Sequence, residues 1–303
     1  MPSFIPSRTC SSAAAAAADF ISFWFIVIAR ICRWLHDQDA EAKRKPALRA
    51  LAASPKPRYT PSPAQEKSMP TNTSARTIVF DLDGTLADTV HDLIPVLNRT
   101  TASVGLAAIP ASDVGHVVGH GARAMIRRAF EYHHTALTDD VQDSLLAVFL
   151  DDYAENLAVH SVLFPGALAA VDALIADGWI CAVCTNKMER FARDLLDRLG
   201  VADRFATVTG GDTFNVRKPD PFHLQETIRL AGGDPANAVM VGDTITDIAT
   251  AKAAKLPVIA VDFGYSEQHV STLEPDVIIS HFDELTPDLA RKLSRANKME
   301  YSE

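Results

Sequence analysis

From residue 164 onward the sequence alternates between helical and extended patterns, and this limits the folds open to the chain more than any other feature. Segments with a helical apolar repeat, 166–178, 188–200, 221–232 and 245–255, are separated by short apolar runs: WICAVCTN (179–186), FATVTGG (205–211), AVMVGD (238–243) and PVIAVDFG (257–264). Runs that are apolar throughout, not at every second residue, read as strands covered on both faces. Strands separated by helices pair in parallel, with helices packed on either side. An earlier run, TIVF at 77–80, has the same character. The expected fold class is therefore α/β, a doubly wound parallel sheet.

Between that first strand and residue 164 the pattern is helical. Leu93, Val96, Leu97 and Thr100 share one face of one helix, and Val141, Leu145, Val148, Phe149, Tyr153 and Leu157 one face of another. This is a helical insertion, expected over 91–161, into a core formed by 74–90 and 162–295.

Residues 1–68 are different in kind. They carry an excess of Lys and Arg, whereas the chain as a whole has a formal net charge of −9. An apolar stretch at 13–29, interrupted by Asp19, is marginal for a membrane-spanning helix, and the Pro-, Ala- and Lys-rich sequence after it reads as a disordered linker. Three readings compete: a targeting segment, a membrane anchor, and an over-extended start with Met69 as the natural first residue. Membrane contact is expected only if 13–29 is retained. The acidic balance argues against nucleic acid as the main partner, while leaving room for a local site for a small anion. Cys181 and Cys184 lie on one apolar strand, where they diverge and build no disulfide framework, so a reducing, cytoplasmic setting is expected.

The strand ends carry the chemistry. Asp81 and Asp83 follow the first strand, Thr185 and Asn186 end another, Lys218 lies in RKPDP, and Asp243 and Asp247 lie in VGDTITD. In a parallel sheet all carboxyl ends open on one edge, so residues far apart in sequence converge there. Singly, an Asp after a strand is as well explained as a helix cap or turn former. Asp81 and Asp83 resist that reading, because two acids so close on a buried strand end raise each other's pKa unless a cation compensates. A divalent cation with oxygen ligands is the economical solution. One carboxylate can then attack phosphorus, a second can protonate the leaving oxygen and activate water, and Lys and Thr can hold the remaining phosphoryl oxygens.

DLDGTLADT, CTNK, RKPDP and GDTITD, in this order, resemble the four motifs of the haloacid dehalogenase-like hydrolase superfamily, over about residues 76–290. The resemblance implies a Rossmann-like core with a small mobile helical cap that closes over the site. It implies Asp81 as nucleophile and Asp83 as general acid/base. Thr185, with the backbone at Asn186, would bind the phosphoryl group, and Lys218 would neutralise charge. Mg2+ would be held by Asp81, Asp243 and the backbone carbonyl of Asp83, with Asp247 acting through water or as an orienting group. The acid at Asp83 favours phosphoryl transfer over dehalogenation, and the absence of lysine between Lys67 and Lys187 disfavours a Schiff-base mechanism.

Within the cap, VVGHGARAMIRRAF (117–130) resembles the substrate-facing loop of bacterial phosphoglycolate phosphatases, with His120 where asparagine is frequent. Gly119 and Gly121 would permit close backbone approach, and His120 or Arg123 could meet a substrate carboxylate; Arg123, Arg127 and Arg128 read equally as a solvated helix face. The resulting expectation is a magnesium-dependent phosphatase of a small phosphate ester, foremost 2-phosphoglycolate, working as a monomer or homodimer. Other phosphatases of the family, a phosphomutase and a catalytically silent binding module are the alternatives.

Overall fold

The computed structural model describes residues 75–119 and 121–300, so the readings placed on residues 1–68 lie outside the described residues. A six-stranded parallel sheet runs in the order β5-β4-β1-β6-β7-β8, built from β1 (Thr77–Phe80), β4 (Ile180–Cys184), β5 (Thr207–Thr209), β6 (Ala238–Gly242), β7 (Val258–Val261) and β8 (Val277–Ile279). β1 is central, pairing with β4 on one side and β6 on the other. β8 escapes a reading of periodicity: it is three residues long and lies at the sheet edge, too short to display a pattern.

Two cores explain why the strands are apolar without alternation. Ile78, Phe80, Cys181, Val183, Val239 and Val241 face one core, whereas Val79, Ala182, Cys184, Ala238 and Met240 face the other. Successive residues of a strand point to opposite faces, so a sheet sandwiched between helices needs apolar residues at every position. Cys181 and Cys184 are thereby buried in different cores as free thiols.

The first face is covered by α4 (Ala167–Ala176), α5 (Glu189–Arg198) and α8 (Pro287–Glu300), through residues such as Leu174, Leu195 and Ala290. The second is covered by α6 (Pro221–Leu230) and α7 (Ile245–Ala253), through Leu224, Ile228 and Ile248. Local chemistry starts these last two helices. Asp220 accepts the Phe222 N–H at 2.9 Å with Pro221 as the first helical residue, and Asp247 in the first turn of α7 accepts the Thr244 N–H at 3.0 Å.

The chain leaves this core through β2 (Ala87–Asp88) and returns through β3 (Val162–Leu163), which pair antiparallel as a two-stranded ribbon. Between them lie α1 (Val90–Ala102), α2 (Ala122–Tyr132) and α3 (Asp139–Glu155), packed on one another. The face expected for α1 is buried throughout, but that of α3 is shifted: Gln142, Leu145, Phe149 and Tyr153 are buried and Val141 is exposed. Gln142 turns inward because its amide donates to the Arg123 carbonyl at 2.8 Å, a polar anchor that a hydrophobicity pattern passes over. Asp92 of α1 fixes the return crossing, accepting the N–H groups of His160 and Ser161 at 2.9 Å each. No helix among the described residues is long and apolar enough to cross a membrane.

Candidate active site

Asp81 extends β1 by one ladder bond, its N–H donating to the Val241 carbonyl at 2.9 Å, and so stands at the carboxyl edge of the sheet's central strand. The neighbouring strands deliver Thr185 after β4 and Asp243 after β6. Lys218 Nζ lies 2.9 Å from Asp81 Oδ1 and 2.6 Å from Asp247 Oδ1, all three side chains being buried. Asp243 is held from two sides. The Thr85 hydroxyl donates to Oδ1 at 2.8 Å and the Tyr265 N–H to Oδ2 at 2.7 Å. Gly84, at φ +83°, and Gly264 press so closely on this carboxylate that a Cβ at either position would overlap it.

Ligand oxygens of Asp81, Asp243 and Asp247 lie within 4.8 Å of one another. One lysine cannot balance three carboxylates. Burial, followed by the charge of Asp247, pushes the Asp81 carboxyl up to about 7 against the pull of Lys218. Burial and the charges of Asp247 and Asp81 hold Asp243 well above the usual carboxylate range. On Lys218 the burial penalty is outweighed by Asp247 and Asp81, which raise its pKa and keep it charged. A buried oxygen-donor set with surplus negative charge, one member pinned by its neighbours, fits a hard divalent cation. Asp247 has both oxygens engaged, one on Lys218 and the other on the Thr244 N–H and hydroxyl, so it orients the cluster.

Asp83 stands outside that cluster. Its Oδ1 accepts from the Thr89 hydroxyl at 2.7 Å and from Lys187 Nζ at 2.8 Å, and Oδ2 lies 3.1 Å from the same ammonium. The two acids that follow β1 are thus separated by partner: Asp81 belongs to Lys218 and Asp83 to Lys187. That division suits a carboxylate that attacks and a second one that exchanges a proton.

Both acids, with Thr185 and Asn186, line a cavity of about 40 Å³ beneath the cap. Gly119 and Gly121 line it from the cap side, and at Gly121 (φ +83°) a Cβ would lie 2.9 Å from the Asn186 carbonyl oxygen. The cap loop therefore rests backbone to backbone on the loop after β4. His120 lies outside the described residues. Arg123 is not brought to the cavity: its guanidinium pairs with Asp143 and lies 3.3 Å from Gln142 Oε1, both on α3, where it ties the cap helices together. Arg128 lies 3.6 Å from Glu267 in an exposed pair of small energetic weight.

Two side chains at the cavity were not singled out as site residues by sequence reasoning. Lys187 directly follows Thr185 and Asn186, and a lysine at the end of a buried strand is a signal that could have been used. Tyr153, at 2% exposure, gave none, since at its helical spacing it reads as one more core aromatic.

Comparison with known proteins agrees with this geometry. The family model described as haloacid dehalogenase-like hydrolase matches residues 78–261. A phosphoglycolate phosphatase of Mesorhizobium japonicum is 50% identical over 72% of this chain and 96% of its own length. One of Agrobacterium fabrum is 47% identical over 71% of this chain and 92% of its own. Among solved structures, a predicted phosphoglycolate phosphatase from Haemophilus somnus superposes with a TM-score of 0.65 at 29% identity, covering 73% of this chain and 98% of that one. With the match running from β1 through β7 and taking in every strand end that bears a site residue, this chain belongs to the haloacid dehalogenase-like hydrolases.

Proposed function

We propose that the protein is a magnesium-dependent phosphatase that hydrolyses 2-phosphoglycolate to glycolate and phosphate in the cytoplasm. The observation that carries this reading is the pairing of Asp81 with Lys218 and of Asp83 with Lys187 at one small cavity. The Asp81 carboxylate attacks phosphorus and the bond from phosphorus to the ester oxygen breaks, with Asp83 giving its proton to the departing oxygen. The resulting acyl phosphate is hydrolysed when Asp83 takes a proton from water, whose oxygen attacks phosphorus and frees Asp81. The Thr185 hydroxyl and the Asn186 backbone bind the phosphoryl oxygens, and Lys218 steadies the charge of the nucleophile. Asp81, Asp243 and the Asp83 carbonyl would hold magnesium, which supplies positive charge against the phosphoryl group.

The names of the relatives support the choice of ester. The test is phosphate release by the purified protein from 2-phosphoglycolate, sugar phosphates, nucleotides and pyrophosphate, with and without magnesium. A magnesium-dependent preference for 2-phosphoglycolate is expected; a preference for a sugar phosphate or nucleotide would remove this assignment.

The metal reading has its own test. Asp81, its pKa raised to about 7, and Asp243, held well above the usual carboxylate range, bind protons more tightly folded than unfolded. Their protonation therefore stabilises the metal-free fold at low pH, and that contribution is lost as pH rises toward 7 and above. Protons and the cation compete for the same oxygens. Magnesium is thus expected to raise the melting temperature more at pH 8 than at pH 5.5, as measured by differential scanning fluorimetry after chelator treatment. A shift independent of pH would argue against binding at these acids.

A further inference from the structure

The leaving group proposed above, glycolate, carries a carboxylate of its own, and nothing in the four motifs accounts for its recognition. Among the described residues that line the cavity, Lys187 is the sole cation: it is held by Asp83 at its wall, whereas Lys218, on Asp81 and Asp247, and Arg123, tied to α3, are not part of the lining. The Lys187 side chain is 5% exposed and enters the cavity from the core. Facing it from the cap is Tyr153, whose ring centroid lies 4.7 Å from Lys187 Nζ. The Tyr153 hydroxyl is buried beside the Lys187 ammonium, which can only donate to it, and its own O–H has no acceptor in the described structure. A buried O–H without an acceptor costs free energy, and such a donor at a cavity wall marks a position that an anion completes. The rest of this wall is apolar, formed by Leu93, Met125 and Phe149, so a charge placed there is met by few groups and each of them counts.

Chemical connectivity gives the direction. Asp83 must reach the ester oxygen to protonate it, and in a 2-phospho acid the carboxyl carbon is two bonds from that oxygen. Lys187 is in contact with Asp83, so the carboxylate falls on the side of Asp83 where Lys187 and Tyr153 stand. We propose that Lys187 and Tyr153, one from the core and one from the cap, form a second anion subsite that binds the carboxylate of the substrate's leaving group. The subsite rests on the phosphatase reading but not on phosphoglycolate in particular: it selects esters of small 2-hydroxy acids over neutral esters of the same size. Because its halves lie on different units, an acid tail also bridges the cap to the core, coupling selection to closure.

The experiment compares kcat/KM for three esters, 2-phosphoglycolate, 2-phospholactate and the neutral 2-hydroxyethyl phosphate, in the full-length protein and its Tyr153→Phe and Lys187→Met variants. Lys187 also holds Asp83, so its replacement slows all three esters; the informative quantity is the ratio of acid to neutral ester. The wild type is expected to favour the acids. Tyr153→Phe should lower that ratio about tenfold, the loss of one hydrogen bond to a charged group, and Lys187→Met should lower it about a hundredfold. A wild-type ratio near one, or a ratio unchanged in both variants, would overturn the subsite even with phosphoglycolate turned over. A wild type that prefers 2-phospholactate, with the ratio still collapsing in the variants, would overturn the substrate named above and leave the subsite standing. Absence of turnover of all three would overturn both.

Discussion

Asp81→Asn is expected to lower turnover by a factor of about 10⁴ or more while leaving the fold intact. Asparagine keeps the shape of the side chain but has no carboxylate to attack phosphorus, so the covalent route is closed and only transition-state binding by the remaining groups survives. The fold tolerates the change for a reason visible in the charges. Asp81 is one of three crowded acids with its pKa already raised to about 7, and Lys218 keeps its shorter contact with Asp247. Steady-state kinetics together with a melting curve checks both halves. Wild-type turnover in the variant would strip Asp81 of the nucleophile's role, and a large fall in melting temperature would mean that its charge is structural.

Lys218→Met is expected to act in the opposite manner, on stability as well as on activity. Methionine replaces the apolar stem of the side chain, but the single buried cation that compensates Asp81 and Asp247 is gone. Removing one partner of a buried ion pair costs about 3–5 kcal/mol, because the remaining charge is left unpaired away from water. The sign of the pH dependence follows. Without Lys218 the acids resist ionisation still more strongly in the folded state, so the loss should be greatest at pH 8 and smaller at pH 5, where protons take over part of the lysine's work. Lys218 itself stays charged throughout this range, its raised pKa placing its own titration above it. Urea unfolding of the chelator-treated protein at the two pH values measures the difference, and adding Asp247→Asn should restore part of the loss at pH 8. Equal stability of the variant and the wild type at pH 8 would refute this account.

What the sequence made legible was set by short-range physics. The parallel sheet could be read because β1, β4, β6 and β7 are apolar at consecutive positions, and the acidic edge because Asp81 and Asp243 each directly follow such a run. β8 was missed because three residues at an edge leave no periodic trace, and the inner face of α3 was misplaced at Val141 because Gln142 is buried by a hydrogen bond. At the site the same division holds. Residues fixed by the ends of strands were readable, but those fixed by the approach of cap to core were not. Arg123 read in sequence equally as an anion receptor and as part of a solvated helix face, and it pairs with Asp143, while Tyr153 looked like packing and reaches the cavity. Neither outcome follows from local pattern, since each depends on how α3 lies against the loops that face it.

The central place of β1 also governs when this site can come into being. The strand's partners are residues 180–183 and 238–241, so during synthesis it emerges long before either neighbour exists. Its backbone groups and the apolar side chains of Ile78, Val79 and Phe80 have no native partner until most of the chain has been made. Pairings between segments this distant in sequence form slowly and expose aggregation-prone surface while they wait. Asp81 and Asp243 therefore meet only when the sheet is nearly complete, and a chain interrupted before β6 carries an acid pair with no counterpart across the edge.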